Sequence, residues 1–325
     1  FTLGYPAPDG GFHRRDRNRP FVTMLARSLD GGLAWQVDEC PCRTPGKRGL
    51  LSADEHVADE LSNAHALDRG LDNTPQPCPG GIEFTHPDSA QMCARTGLGA
   101  GTRSGFYTTT DRWHTWEGPW KLPMFGQAGI EARTDIIVSG PTECTLFLTA
   151  SKTSGGEGDH VFCARTTDGG ATFRYLAPVT PGAEEMGFVI MPSSVRLSRP
   201  SFERRGRLLT AVRCRGGRGA FAQARHWIDL YASDDDGATW RHVNRPAPDT
   251  GSGGNPPAMI LLRDGRVCLT YGVRAAPYGI RARISEDGGE TWGDEIVLRD
   301  DGGNHDLGYP RTVQRADGTI VTAYY

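Results

Sequence analysis

The 325-residue chain carries 36 Lys plus Arg and 39 Asp plus Glu, a formal net charge of -3. No block of like charges appears, which argues against nucleic-acid or membrane-surface binding, and no apolar run is long enough to span a membrane. Forty-three glycines and 22 prolines, with little helical periodicity, point to many short strands joined by tight turns.

No secretion signal is legible. The sequence opens on Phe1 and closes inside the apolar run "IVTAYY", so it reads as a fragment, and its compartment is left open. The opening loop "GFHRRDRNRP" sets Asp16 and His13 among Arg14, Arg15, Arg17 and Arg19. An Asp there is either an acid or an ion-pair partner, and cationic neighbours work against an acid by lowering its pKa.

The strand "FVTMLA" then runs into "SLDGGLAW" from Ser28. The phrase returns as "TTDRWHTW" from Thr109, "TTDGGATF" from Thr166, "SDDDGATW" from Ser233 and "SEDGGETW" from Ser285. Each copy lies between two short apolar strands, which predicts a hairpin. The constant Asp accepts hydrogen bonds from turn N–H groups, Gly supplies a positive φ, and the closing aromatic ring packs on its neighbour. These aspartates and tryptophans are structural.

An insertion over about 38–80 separates the first two copies. Its stretch "SADEHVADELSNAHAL" has helical character with Ser52 as cap, and Cys40, Cys42, Cys78 and Cys93 cluster around it with His56 and His65. Cys-Pro-Cys lacks the spacer of a zinc knuckle, so no metal is assigned, and disulfide and free thiol both stay open. Cys144, Cys163, Cys214 and Cys268 fall on or beside strands and are expected as buried thiols. The following loop is expected to bring His86, Asp88 and Arg103 to the ligand-bearing face.

Further along, "ARTDIIVSGPTECTLFLTASK", "MPSSVRLSRPSFERRGRLLTAVRCR", "NPPAMILLRDGRVCLTYGVR" and "YPRTVQRADGTIVTAYY" each read strand, turn, strand. Two strands, a loop, a third strand, the Asp phrase and a fourth strand, at a spacing of about fifty residues, predict the blades of a β-propeller. The expected fold is all-β, one domain over 1–325. It has six blades if the two chain ends belong to separate blades and five if they close on each other.

The Asp phrases then lie at one end of every sheet, and the loops that leave strand two or enter strand one lie at the other. Arg95, Lys152 and Arg213 leave strand two in successive units, the next unit has Val273 there followed by Arg274, Tyr325 holds the place in the last, and Arg133 and Arg311 enter strand one. These are either solvated loop cations or a converging arc. Like charges in a narrow mouth repel unless an anion compensates them, and a carboxylated sugar (a sialic acid or a uronate) matches arginine bidentately.

Five aspartate-box phrases covering nearly the whole chain resemble the exo-sialidase (neuraminidase) superfamily of BNR/Asp-box propellers. The resemblance implies an exo-acting hydrolase of a terminal acidic sugar, with a tyrosine nucleophile and no cofactor. It places Tyr309, in "LGYPRTVQRADGTIVTAYY", as nucleophile and Asp16 as acid/base, with Arg213 and Arg274 on the carboxylate and Arg311 beside the nucleophile; the alignment of the repeats adds Arg95, Arg133 and Lys152 as substrate-binding cations. Two departures stand out. Pro256 in "NPPAM" occupies the place of the glutamate that activates the tyrosine, which leaves Glu131 or Glu185 as substitutes, and the first arginine of the family's triad has no counterpart. A polysaccharide lyase and a non-catalytic glycan-binding propeller are the alternative readings. The sugar and the oligomeric state are not readable.

Overall fold

The computed structural model describes residues 2–3, 22–39, 75–95, 99–154, 158–183, 186–197, 206–217 and 224–325. Asp16, His13, Glu185, Cys40, Cys42 and the helical stretch expected at 52–67 lie outside them. Among the described residues there are strands only, arranged as six antiparallel sheets, and no helix is long and apolar enough to cross a membrane.

The first sheet holds β1 (Thr2–Leu3), β2 (Val22–Arg27) and β3 (Gln36–Glu39), and the second β4 (Ala90–Arg95), β5 (Ser104–Thr109) and β6 (Glu117–Lys121). Three four-stranded sheets follow. They are β7 (Ile130–Val138), β8 (Cys144–Ala150), β9 (Val161–Thr166) and β10 (Arg174–Pro178); β11 (Phe188–Leu197), β12 (Arg207–Arg215), β13 (His226–Ser233) and β14 (Arg241–Ala247); and β15 (Ala258–Leu261), β16 (Val267–Val273), β17 (Gly279–Ser285) and β18 (Ile296–Arg299). A pair, β19 (Arg311–Gln314) and β20 (Ile320–Ala323), completes the set.

Burial explains why the middle strands lack polar alternation. Strands β8 and β13 are buried at every position, whereas the edge strand β18 is exposed throughout, because a middle strand has a neighbouring sheet on each face. Apolar clusters fill the spaces between successive sheets; one joins Phe147, Val161 and Cys163 to Leu208, Val212 and Tyr231, and another joins Leu209 and Leu230 to Met259, Leu269 and Tyr271. The first strands β7, β11, β15 and β19 pack side by side in chain order. Polar contacts at or beside these strands run from sheet to sheet: Ser194 N–H donates to Asp135 Oδ2 (2.5 Å), Met259 N–H to Ser193 Oγ (2.9 Å), and Thr270 on β16 meets Thr312 on β19 (2.5 Å). This is the arrangement of a β-propeller.

The Asp phrases connect β2–β3, β5–β6, β9–β10, β13–β14 and β17–β18. In each, the Asp accepts from the Ser or Thr hydroxyl two residues earlier (2.7–2.8 Å) and from the N–H four residues later (2.8–3.0 Å). Thr115, Thr172, Thr239 and Thr291 add a hydroxyl bond of 2.5–2.6 Å, which Ala34 cannot make in the first copy. The Thr172 hydroxyl and the other donors hold Asp168 at about 2. Two consecutive residues per turn take positive φ, namely Gly31–Gly32, Gly169–Gly170, Asp236–Gly237 and Gly288–Gly289, but Arg112–Trp113 (58° and 71°) in the second copy.

Asp88 corrects one expectation. It accepts from Arg112 Nε at 2.6 Å, which puts it at the Asp-phrase end of its sheet and away from the ligand end, because the whole of β4 separates it from Arg103. Cys78, Cys93, Cys144, Cys163, Cys214 and Cys268 are free thiols, so no disulfide forms among the described cysteines.

Candidate active site

Tyr309 enters the site on the loop between β18 and β19. Gly308 and Tyr325 exchange backbone bonds (2.8 and 3.2 Å), extending the β19–β20 hairpin towards the loop end of the sheet. Tyr309 itself has φ 48°, a left-handed conformation that costs a bulky L-residue about 1–2 kcal/mol. Its N–H donates to Asn255 Oδ1 at 3.0 Å. The ring is 40% exposed, lies 5.6 Å from the Tyr325 ring and has the Arg274 guanidinium 5.8 Å from its centroid.

Arginines of three sheets gather on this side of the molecule: Arg274 over the ring, Arg213, and Arg133, whose field reaches Arg213. Arg213, at the end of β12, is 5% exposed. It donates to the Gly253 carbonyl and to Met191 Sδ (3.4 Å), and its guanidinium lies 5.2 Å from the Phe188 ring centroid. Burial lowers its pKa. Tyr309 opposes that shift, while the fields of Arg274 and Arg133 add to it. Arg274 follows β16, is equally buried, donates from Nε to the Leu307 carbonyl (3.1 Å) and stands 3.9 Å from Asp306 Oδ1. Arg133 on β7 lies 3.1 Å from Glu131 Oε2. Two of the three cations therefore face a buried carboxylate of their own. Arg213 faces a carbonyl, a thioether, an aromatic ring and Tyr309.

Glu131 is fully buried and also accepts from Ser151 Oγ (3.0 Å) and Gly158 N–H (2.9 Å), so it braces Arg133. Among the described residues no carboxylate hydrogen-bonds the Tyr309 side chain, and the cation over its ring is Arg274. Lys152 donates to the carbonyls of Met186 (2.9 Å) and Gly187 (2.7 Å), lacing its sheet to the next one. Arg95 ends β4 opposite Ser104. Arg311 is exposed on β19, and its field reaches Asp135 on β7. Asp135 as a residue is partly exposed, yet its carboxyl is enclosed. That burial raises it to about 6 against the N–H donors of Ser194 and Ile136. His226, fully buried beside Arg213 and Arg215, is pushed down to about 4 by burial first and then by the two guanidinium fields, so it is neutral at pH 7.

Sequence reasoning missed Asn255, Asp306 and the Tyr325 hydroxyl. Tyr325 donates to Asp306 Oδ1 (3.3 Å) and lies 3.5 Å from Arg274 Nη2. Burial, followed by the fields of Tyr309 and Asp306, raises its pKa to about 12. The one available signal was local: Gly308 directly before Tyr309, and an Asn directly before Pro256-Pro257.

A family model, the BNR repeat-like domain, matches residues 89–322, more than half of the chain. No curated protein matches. Among solved structures, a protein of unknown function from Dyadobacter fermentans is 22% identical, with 97% of this chain and 82% of that one covered at a TM-score of 0.62. A Hadza microbial sialidase is 17% identical at a TM-score of 0.50, over 73% of this chain, which spans only half of that protein's length. Identities this low speak to fold alone. The fold, the repeated Asp turns and the extent of the family match agree: the chain belongs to the BNR repeat-like domain family.

Proposed function

We propose that the chain is an exo-acting glycoside hydrolase that cleaves a terminal acidic sugar, built as one six-bladed propeller over 1–325 with an insertion at about 38–80. Closure of the ring is supported at the first and last sheets, where a Cβ on Gly32 would come 3.3 Å from Val321 Cγ1 and one on Gly31 would meet the Arg315 side chain. The observation that carries the functional reading is Arg213. A guanidinium this buried without a carboxylate among the described residues is costly, and a substrate carboxylate would offset that cost through charge-assisted bonds. Arg133 and Arg274 flank it, and Arg95, Lys152 and Arg311 stand further out. Tyr309 is the nucleophile, since a neutral phenol escapes the repulsion that an Asp or Glu would feel from an acidic sugar. Arg213 stabilises charge that develops on its oxygen during reaction. Asp16 is the acid of this scheme and Glu131 the support of Arg133.

The lack of a carboxylate at the Tyr309 hydroxyl among the described residues, with Arg274 over the ring, also favours a second reading. In a polysaccharide lyase the tyrosine takes the proton beside a uronate carboxylate that an arginine has neutralised, and no carboxylate is needed at its hydroxyl. The test offers the protein 4-methylumbelliferyl N-acetylneuraminic acid, 4-methylumbelliferyl glucuronide and uronate polysaccharides. Fluorophore release, or reducing sugar formed without near-ultraviolet absorbance, is expected from the hydrolase, and new near-ultraviolet absorbance from the lyase. Tyr309→Phe should cost about 10²–10⁴-fold in kcat; full activity in that variant would remove Tyr309 from both schemes.

A further inference from the structure

Asn255 is fully buried and belongs to the loop that enters β15. Its Nδ2 donates to the Leu307 carbonyl at 2.7 Å, and its Oδ1 accepts from Tyr309 N–H at 3.0 Å. One side chain thus bridges the two peptide groups that flank Gly308. The fit leaves no slack: a Cβ on Gly308 would lie 2.0 Å from Nδ2 and a Cβ on Gly272 would lie 2.6 Å from it. Both glycines admit the amide, and Gly308 also takes φ 125°. The Leu307 carbonyl is shared, because Arg274 Nε donates to it as well.

We infer that Asn255 is the positioning residue of the site, holding Tyr309 in its left-handed conformation and fixing its distance from Arg274. An amide suits this task because it offers one donor and one acceptor at fixed spacing and does not ionise. A carboxylate in its place keeps the acceptor for Tyr309 N–H, but turns an oxygen towards the Leu307 carbonyl where a donor is needed. Asn255 therefore takes up the space beside Pro256 where an activating acid was looked for, and supplies geometry in its stead. Only the kinetic consequence rests on Tyr309 being the reacting group; the geometric claim stands without it.

The test uses the whole chain with 3-fluorotyrosine at its nine tyrosines, the fluorine resonance of position 309 being assigned by its loss in Tyr309→Phe. In Asn255→Ala and in Gly308→Ala that resonance is expected to shift or split, and the double variant is expected to do no more than Asn255→Ala alone. In Asn255→Asp the resonance should be displaced at about pH 8 and return towards the parent position at about pH 5, where a protonated, buried carboxyl again donates to Leu307. Activity, measured on the fluorogenic glycoside that the parent cleaves, should follow the resonance in kcat more than in KM. An unmoved resonance in folded Asn255→Ala overturns the inference. Should Asn255→Ala not fold, an Asn255→Asp resonance that is identical at both pH values and to the parent does the same. A parent without activity on any glycoside counts against the proposed function and leaves the fluorine result to judge Asn255.

Discussion

At one end of the sheets Asp235 accepts bonds from Ser233, Thr239 and the Thr239 N–H, all from its own turn. At the other end Arg213 from β12 lies in the fields of Arg274 from beyond β16, Arg133 from β7 and Tyr309 from before β19, and Arg274 lies over the Tyr309 ring. The first end repeats because each turn solves its hydrogen bonding locally, so one eight-residue pattern works in five places. The second end cannot repeat, since each sheet contributes a different group to one shared volume. Self-sufficient turns make stability, and on the proposed function a cluster with a buried cation lacking a carboxylate among the described residues takes an anionic substrate.

The contrast is broken most severely at Arg213. Arg213→Met removes the charge while keeping much of the volume. It should cut kcat/KM on a cleaved acidic glycoside by about 10²–10³-fold, yet leave the thermal midpoint unchanged or higher, because a buried guanidinium lacking a counter-carboxylate no longer needs desolvating. A fall in both would mean that the cation is structural. Asp235→Ala should do the reverse: a loss of about 1–2 kcal/mol in urea unfolding with kcat and KM unchanged.

Acidity sharpens the same comparison more gently. The His226 pKa is depressed in the folded chain, to about 4 from an ordinary 6.5, so the stability it contributes is present above about 6.5 and lost as pH falls towards 4. The Asp135 pKa is raised from 3.8 to about 6, so its contribution is present below its ordinary value and lost as pH rises through about 6. The two slopes oppose each other in the same window. Urea midpoints should therefore show loss on acidification in Asp135→Asn, and loss on alkalinisation in a His226→Phe variant. The smallest effect is expected at the deviant turn. Arg112→Gly gives the second Asp phrase the glycine found at that place in three other copies, and should raise the thermal midpoint by about one or two degrees, with activity unaltered.

Most of the fold could be read from the chain because the Asp turns are local: Ser285, Asp287 and Thr291 find each other within seven residues. The cationic cluster was readable in part. Strand alternation brings Arg133, Arg213 and Arg274 to one end, but it does not say how far a long side chain reaches. Lys152 occupies an equivalent strand position and spends its charge on the carbonyls of Met186 and Gly187. Glu131 was legible as a nearby acid, not as a group already claimed by Arg133, Ser151 and Gly158. Asn255 was illegible because its partners lie more than fifty residues away, and an asparagine before two prolines reads as an ordinary loop.

The cysteines have a practical consequence. Burial raises the thiols of Cys163 and Cys268 to about 11 and that of Cys144 to about 12, and it drives Cys214 well upward too. A thiol that keeps its proton inside a packed sheet is invisible to an alkylating reagent. Four of these residues are spread over three successive sheets, so the rate at which each becomes modified is a ready-made clock for how, and in what order, those sheets come apart.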